Sequence, residues 1–129
     1  MVDLGHWQGV LEEDTELPYG FIYKITNLTN DKKYIGKKQC KSIRKRPPLK
    51  NKRHTVIETD WKSYTSSSNE LNENIQELGK NNFKFEILRW CDSKWELSYY
   101  EAKLQFEEEV LTRDDYYNGI INLRIGKRK

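Results

Sequence analysis

The sequence of 129 residues has little of several features that define common classes of protein. Its longest apolar runs are only a few residues, well short of the roughly 20 that a membrane-spanning helix needs, and its amino terminus lacks the pattern of a signal peptide. The two cysteines, Cys40 and Cys91, form no CxxC motif. We therefore expect no membrane partner, no disulfide framework, and a cytoplasmic protein with reduced thiols.

Acidic residues are missing from one stretch of the chain. Between Lys32 and Arg53 there are eleven Lys or Arg and no Asp or Glu, although the net charge of the whole chain is only +3. Because so many like charges repel one another unless a partner neutralises them, the stretch predicts a nucleic-acid-binding face rather than a solvated loop. The residues assigned to this face are Lys38, Lys41, Lys45, Arg46, Lys50, Lys52, Arg53 and Trp61. For Trp61, stacking on bases competes with the more ordinary interpretation of a buried aromatic residue that caps the insert.

Length and composition favour a single domain. Residues 1–18 are interpreted as an N-terminal arm that wraps onto the domain, with Trp7 as its candidate anchor. Residues 19–125 form the domain, which contains a basic and aromatic insert at 45–68, and residues 126–129 form a basic tail.

Alternating apolar residues predict the strands. Residues 20–27 and 32–38 flank a turn-rich segment and predict a β-hairpin in which Tyr23 and Tyr34 lie close across the strands. The alternation at residues 83–89 predicts a third strand, and the tail at 116–123 predicts a short edge strand.

Capping residues and helical spacing predict the helices. Ser68 and Gly79 bound one helix, and Asp92 or Ser93 begins a longer one from Lys94 to Leu111. A short helix is also expected near Ser42. The fold class is therefore α+β, a small three-stranded antiparallel sheet built from the N-terminal hairpin plus one later strand and packed with helices.

The longer helix has apolar residues on two sides. This pattern predicts that it is sandwiched between the sheet and either another helix or a second copy of the protein in a homodimer. Glu101 lies at the border of one apolar stripe. It is either a flanking residue whose head reaches water or a metal ligand held on a rigid helix. In the basic stretch, Arg44 or Arg46 is suited to hold a phosphate in two-point contact.

Several motifs in order resemble the GIY-YIG nuclease superfamily over about residues 19–122. They are Gly20-Phe21-Ile22-Tyr23, Tyr34-Ile35-Gly36, Lys37, Arg44, Tyr99-Tyr100-Glu101-Ala102 and Tyr117-Asn118. The chain departs from the family pattern in its first motif, which reads Phe-Ile-Tyr after Gly20. It also has Pro48 where several relatives carry a histidine.

The resemblance implies a fold of the GIY-YIG type and roles for six residues. Tyr34 resembles the base that deprotonates the attacking water, Tyr23 its helper, and Lys37 a lysine that supports that role. Arg44 would stabilise the transition state, Glu101 would bind one Mg²⁺ or Mn²⁺ per active site, and Asn118 would brace the site. Because a free phenol titrates near pH 10, Tyr34 can act as a base only if Lys37, Arg44 or a metal-bound hydroxide favours its charged form.

The implied function is metal-dependent DNA endonuclease activity that leaves a 5′-phosphate. Similar small nucleases are encoded by phages or mobile elements, which would place the protein in a bacterial or phage-infected cell. Two alternatives remain. One is a catalytically inactive nucleic-acid-binding module with the same basic face, and the other is a structural protein whose basic loop meets RNA or an acidic partner.

Overall fold

The computed structural model describes residues 2–45, 54–122 and 124–128 and contains five strands and two α-helices. The strands are β1 (Gly20–Asn27), β2 (Lys32–Gln39), β3 (Lys41–Lys45), β4 (His54–Glu58) and β5 (Phe83–Cys91). The helices are α1 (Asn69–Leu78) and α2 (Lys94–Glu107), with a 3₁₀ turn at Lys80–Asn82. Strands β2, β1 and β5 form an antiparallel sheet in that order, which confirms the predicted α+β fold.

The β1–β2 hairpin brings the two tyrosines together as predicted. Its turn is held by Asn27, whose side-chain oxygen accepts hydrogen bonds from the backbone and the hydroxyl of Thr29. The register pairs Tyr23 with Gly36 and Ile25 with Tyr34, so the two phenol rings are diagonal neighbours on one face. Their centroids are 6.1 Å apart.

The sheet separates two hydrophobic cores. Phe21 and Tyr23 point into the core that contains Trp61 and, from α1, Leu71. Ile22 points into the other core, beneath Leu97 of α2. This division follows from the period-2 alternation of a strand that is buried on both faces. Helix α2 is thereby held against the sheet, with its middle turns next to β2.

Local capping determines both helix starts. The Ser68 hydroxyl accepts a hydrogen bond from the backbone of Leu71, and the Ser93 hydroxyl accepts one from Glu96. Helix α2 ends at Glu107, earlier than the predicted end at Leu111. Glu109 adopts a left-handed φ of 55°, which breaks the helical path.

The second apolar side of α2 is only partly covered. Leu97 on the first side is buried, and so is Ala102 on the second, but Tyr99 and Phe106 on the second side are 40% and 57% exposed. The predicted homodimer through α2 stays a prediction.

A hairpin that local sequence did not indicate begins just before the insert and extends into it. Strands β3 and β4 pair antiparallel, with Lys41 opposite Glu58, so the short helix expected near Ser42 is wrong. Strand β3 is stabilised by hydrogen bonds to β4, which is distant in the sequence. Helix-capping residues act only within a few positions, so they do not indicate such pairing. Residues 46–53, which include Arg46, Lys50, Lys52 and Arg53, lie outside the described residues.

The two ends of the described chain cover the edges of the sheet. Gln8 of the arm exchanges backbone hydrogen bonds with Phe85 and Ile87 of β5. At the opposite edge, Tyr116 forms one parallel bridge with Lys33, so the edge strand predicted at 116–123 is reduced to a bridge in the part that the structure describes. Within the described ranges, neither helix is long and apolar enough to cross a membrane.

Candidate active site

A cavity of about 360 Å³ lies between β2, α2 and the loop that follows β4. It is lined by Tyr23, Tyr34, Lys37, Tyr64, Ser67, Glu101, Gln105, Ile120 and Asn122. Four residues predicted from the motifs, Tyr23, Tyr34, Lys37 and Glu101, are therefore brought to one place. The hairpin supplies three of them, and the second turn of α2 supplies Glu101.

Tyr23 enters the cavity across the backbone of Gly36. A Cβ atom at Gly36 would lie 2.5 Å from the Tyr23 hydroxyl and 2.8 Å from Cε1 of Tyr34, so only glycine leaves room for the phenol. Burial raises the pKa of Tyr23 well above its ordinary value. Tyr23 is therefore a neutral phenol at physiological pH and can donate a hydrogen bond.

The described residues raise the pKa of Tyr34 overall, so by themselves they do not make it a base. Burial raises the pKa of Tyr34, and the nearby charge of Glu101 raises it further. Only the hydroxyl of Ser67, 3.2 Å from the phenolic oxygen, shifts the pKa downward. Formation of the phenolate therefore needs positive charge that arrives with a ligand or from a side chain outside the described set.

Lys37 is paired with the carboxylate rather than with Tyr34. Its ammonium lies 3.8 Å from Oε1 of Glu101 and 3.3 Å from the hydroxyl of Ser98. The side chain of Glu101 is only 16% exposed, and burial raises its pKa while Lys37 lowers it. Glu101 thus has a packed stem and a carboxylate that faces a cation across the cavity.

The donor set in the cavity suits a single hard cation. Among the described residues, no group of three or more His, Cys, Asp or Glu side chains is arranged to hold a metal ion. Mg²⁺ often uses only one or two carboxylates, with waters and phosphate oxygens as its other ligands. One carboxylate in a cavity lined by hydroxyl groups fits such an ion.

Asn118 contacts the backbone of β2 next to the cavity. Its side-chain oxygen accepts a hydrogen bond of 3.0 Å from the Ile35 nitrogen, and its amide donates one of 2.8 Å to the Ile35 carbonyl. The same carbonyl accepts a bond from Gln105 of α2. Ile35 lies between Tyr34 and Gly36, so these bonds hold that part of the edge strand in place.

The basic stretch is less isolated than its sequence suggested. Lys38 forms an ion pair of 2.8 Å with Asp60, and Lys41 one of 3.3 Å with Glu16. The expectation of a basic face without compensating acids is therefore wrong for this segment, because tertiary folding brings acids from distant positions. Asp60 and Glu16 have side chains that are 70% and 91% exposed, so both pairs are weak and can be exchanged for other anions.

The other predicted residues in described elements are Trp61 and the two basic residues at the end of β3, Arg44 and Lys45. Trp61 is 1% exposed, so its predicted stacking on bases is wrong and it is a core residue. Arg44 and Lys45 belong to β3, but their side chains lie outside what is described. The choice between Arg44 and Arg46 therefore stays open.

Tyr64 and Ser67 are two further cavity residues to which the sequence motifs assigned no catalytic role. Both come from the loop between β4 and α1, whose position depends on the burial of Trp61. The only local indication was a tyrosine followed closely by a run of serines, which is also typical of an ordinary loop.

Comparisons with known proteins agree with the motifs. The family model described as "Putative endonuclease segE, GIY-YIG domain" matches residues 6–121. The chain is 30% identical over 100 residues to "Putative endonuclease segE" of Enterobacteria phage T4, with 78% of this chain and 40% of that protein covered. It is 36% identical over 103 residues to "Putative endonuclease segD" of the same phage, with 80% and 38% covered. The chain therefore spans less than half the length of these curated relatives, and no solved structure matches it significantly.

Proposed function

Because the chain belongs to the GIY-YIG endonuclease family, we propose that it hydrolyses phosphodiester bonds of DNA with the aid of one divalent metal ion. The observation that carries this proposal is the convergence of Tyr23, Tyr34 and Glu101 on one cavity. A module that only binds nucleic acid needs neither a partly buried carboxylate nor two neighbouring phenols at its binding surface.

Each of the chain's own residues is proposed to have one role. Tyr34 accepts a proton from the attacking water at its phenolic oxygen, and Tyr23 donates a hydrogen bond that orients the water or the phosphate. Glu101 would hold Mg²⁺ or Mn²⁺, which when bound supplies positive charge to the leaving oxygen. Water attacks phosphorus and the 3′ oxygen leaves, so the phosphate stays on the 5′ end of the product.

Positive charge near Tyr34 is needed because burial raises the pKa of this phenol. Arg44 on β3 is the proposed protein source, and it would also contact the phosphate. Lys37, at 3.8 Å from Glu101, would keep that side chain ionised before the cation binds.

The DNA backbone is proposed to approach along β2 and β3. Lys38 and Lys41 lie there with exposed acidic partners, and phosphates can replace those acids. This exchange makes the binding sensitive to salt.

Replacing the proposed metal ligand tests the function. Glu101→Gln keeps the shape of the side chain but removes its charge, so nicking of supercoiled plasmid in Mg²⁺ or Mn²⁺ should fall by about 100-fold or more. DNA affinity in EDTA should stay close to that of the wild type. The matched control is Glu107→Gln, an exposed glutamate near the end of the same helix, which should nick at the wild-type rate.

Two results would contradict the proposal. Nicking that survives Glu101→Gln would remove Glu101 from the metal site. Salt-dependent DNA binding by a wild-type protein that nicks nothing with either metal would instead identify an inactive nucleic-acid-binding module.

A further inference from the structure

The loop between β4 and α1 carries two hydroxyl groups into the cavity, and we call residues 61–67 the site loop. Contacts with the N-terminal arm hold this loop. The indole nitrogen of Trp7 donates a hydrogen bond of 2.6 Å to the Trp61 carbonyl, and the backbone nitrogen of His6 donates one of 3.1 Å to the Lys62 carbonyl. The position of the site loop is thus determined by the core and not by its own sequence alone.

Ser67 is the residue of the site loop whose hydroxyl meets Tyr34. Its oxygen lies 3.2 Å from the phenolic oxygen of Tyr34, and either atom can be the donor. The rings of Tyr23 and Tyr64 pack edge to face, with centroids 6.2 Å apart, so Tyr64 of the same loop lies beside the other tyrosine of the site.

Counting protons gives the hydrogen bond between Ser67 and Tyr34 a direction once Tyr34 has lost its proton. A phenolate oxygen can only accept, and the Ser67 hydroxyl has one proton to donate. The bond is therefore kept when Tyr34 is a phenolate, and it is stronger then because its acceptor is charged.

We propose that Ser67 is a positioning residue that holds the phenolic oxygen of Tyr34 ready to accept a proton from the attacking water. This inference rests on the proposed endonuclease function and assigns a role in it to the site loop. The proton of the water moves to the Tyr34 oxygen, and the proton of Ser67 stays on its own hydroxyl. Ser67 contributes a hydrogen bond to the charged form of Tyr34, which favours that form.

Removing the Ser67 hydroxyl tests the role. A hydrogen bond to a charged group contributes about 1.5–3 kcal/mol, so Ser67→Ala should lower kcat for plasmid nicking by about 10- to 100-fold, with KM nearly unchanged. Ser67→Thr retains a hydroxyl and should restore most of the rate.

The matched control is Ser63→Ala, which removes an exposed serine hydroxyl from the same loop. That hydroxyl donates to the Asp60 carbonyl and not to Tyr34, so kcat should be unchanged. A wild-type kcat for Ser67→Ala would overturn the inference. A rise in KM at unchanged kcat would do the same, because it would mean that Ser67 only binds DNA.

A second measurement does not depend on activity. In protein labelled with ¹³C at the tyrosine Cζ position, the Tyr34 resonance should move in Ser67→Ala but not in Ser67→Thr or Ser63→Ala. If it does not move in Ser67→Ala, Ser67 does not contact the Tyr34 phenol and the inference fails. If it moves as expected while the wild type nicks no DNA with Mg²⁺ or Mn²⁺, the endonuclease proposal fails and the contact between Ser67 and Tyr34 remains as a structural feature.

Discussion

Gly36 determines where the first tyrosine can lie. It faces Tyr23 across the hairpin, and the phenol of Tyr23 occupies the space where any other residue would place its Cβ atom. Tyr23 is 1% exposed and packs against Trp7 and Tyr64, so it has little room to move aside. The glycine of the second motif is therefore needed for the tyrosine of the first.

Gly36→Ala should displace the Tyr23 phenol from the cavity. Overpacking of a filled core costs about 1–3 kcal/mol of unfolding free energy. Misplacement of a reacting group by about 1 Å can lower the rate by about 100-fold. Urea unfolding and plasmid nicking would measure the two effects. The control is Gly119→Ala, where a Cβ atom meets nothing within 4 Å and both quantities should stay near wild type. Unchanged nicking by Gly36→Ala would contradict the role of Tyr23.

At the scale of elements, the N-terminal arm is part of the support of the site. The ring of His6 stacks on Phe85 of β5 at 4.0 Å, and its Nε2 atom lies 2.9 Å from the Tyr64 carbonyl. The ammonium of Lys80 is 3.4 Å from Nδ1 and can only donate there. These contacts are satisfied together by a neutral ring that carries its proton on Nε2.

The docking of the arm should weaken as the pH falls. Burial lowers the pKa of His6, and the positive charge of Lys80 lowers it further. A histidine whose folded-state pKa lies below its unfolded value of about 6.5 loses stability as the pH falls from that value through the folded-state pKa. The unfolding free energy of the wild type should therefore drop more between pH 7.5 and pH 5.5 than that of His6→Gln.

Urea denaturation at both pH values measures this difference, and carboxyl groups that titrate in both proteins cancel in the comparison. His54→Gln replaces the only other histidine and should keep the wild-type dependence on pH. An equal loss of stability in His6→Gln and the wild type would show that His6 does not anchor the arm.

Elements with local signals were predictable from the sequence, and elements held by distant contacts were not. The alternation of β1 and the Ser68 and Ser93 caps act within a few residues, so they predicted the hairpin and both helix starts. The β3–β4 hairpin depends on pairing across the insert, and the site loop depends on contacts between residues 54 positions apart. Motif spacing therefore located Tyr23, Tyr34 and Glu101, but not Tyr64 or Ser67.

At the scale of the whole molecule, folding distributes the charge more evenly than the sequence does. Lys32 pairs with Glu70 and Lys33 with Asp115, in addition to the pairs of Lys38 and Lys41 already described. This part of the surface is therefore less positive than its run of lysines suggests. In the proposed complex, DNA would compete with acids of the protein itself for these lysines.

Asp60 is the acid whose removal should show this competition most directly. Its carboxylate lies 2.8 Å from the ammonium of Lys38, which also lies 4.3 Å from the centroid of the Tyr64 ring beside the cavity. Asp60→Asn removes the acid that a phosphate has to displace from this lysine. Affinity for DNA in EDTA should therefore rise.

Glu107→Gln changes the net charge by the same amount at the far end of α2 and separates a local effect from a global one. If competition for Lys38 is the cause, Asp60→Asn raises the affinity by more than Glu107→Gln does, because only that change removes an acid that competes with phosphate for the lysine. Fluorescence anisotropy titrations of a labelled duplex between about 50 and 200 mM salt cover the range in which such contacts are resolved. Equal affinities for the two variants would mean that Lys38 does not contact DNA and that the backbone is bound elsewhere on the chain.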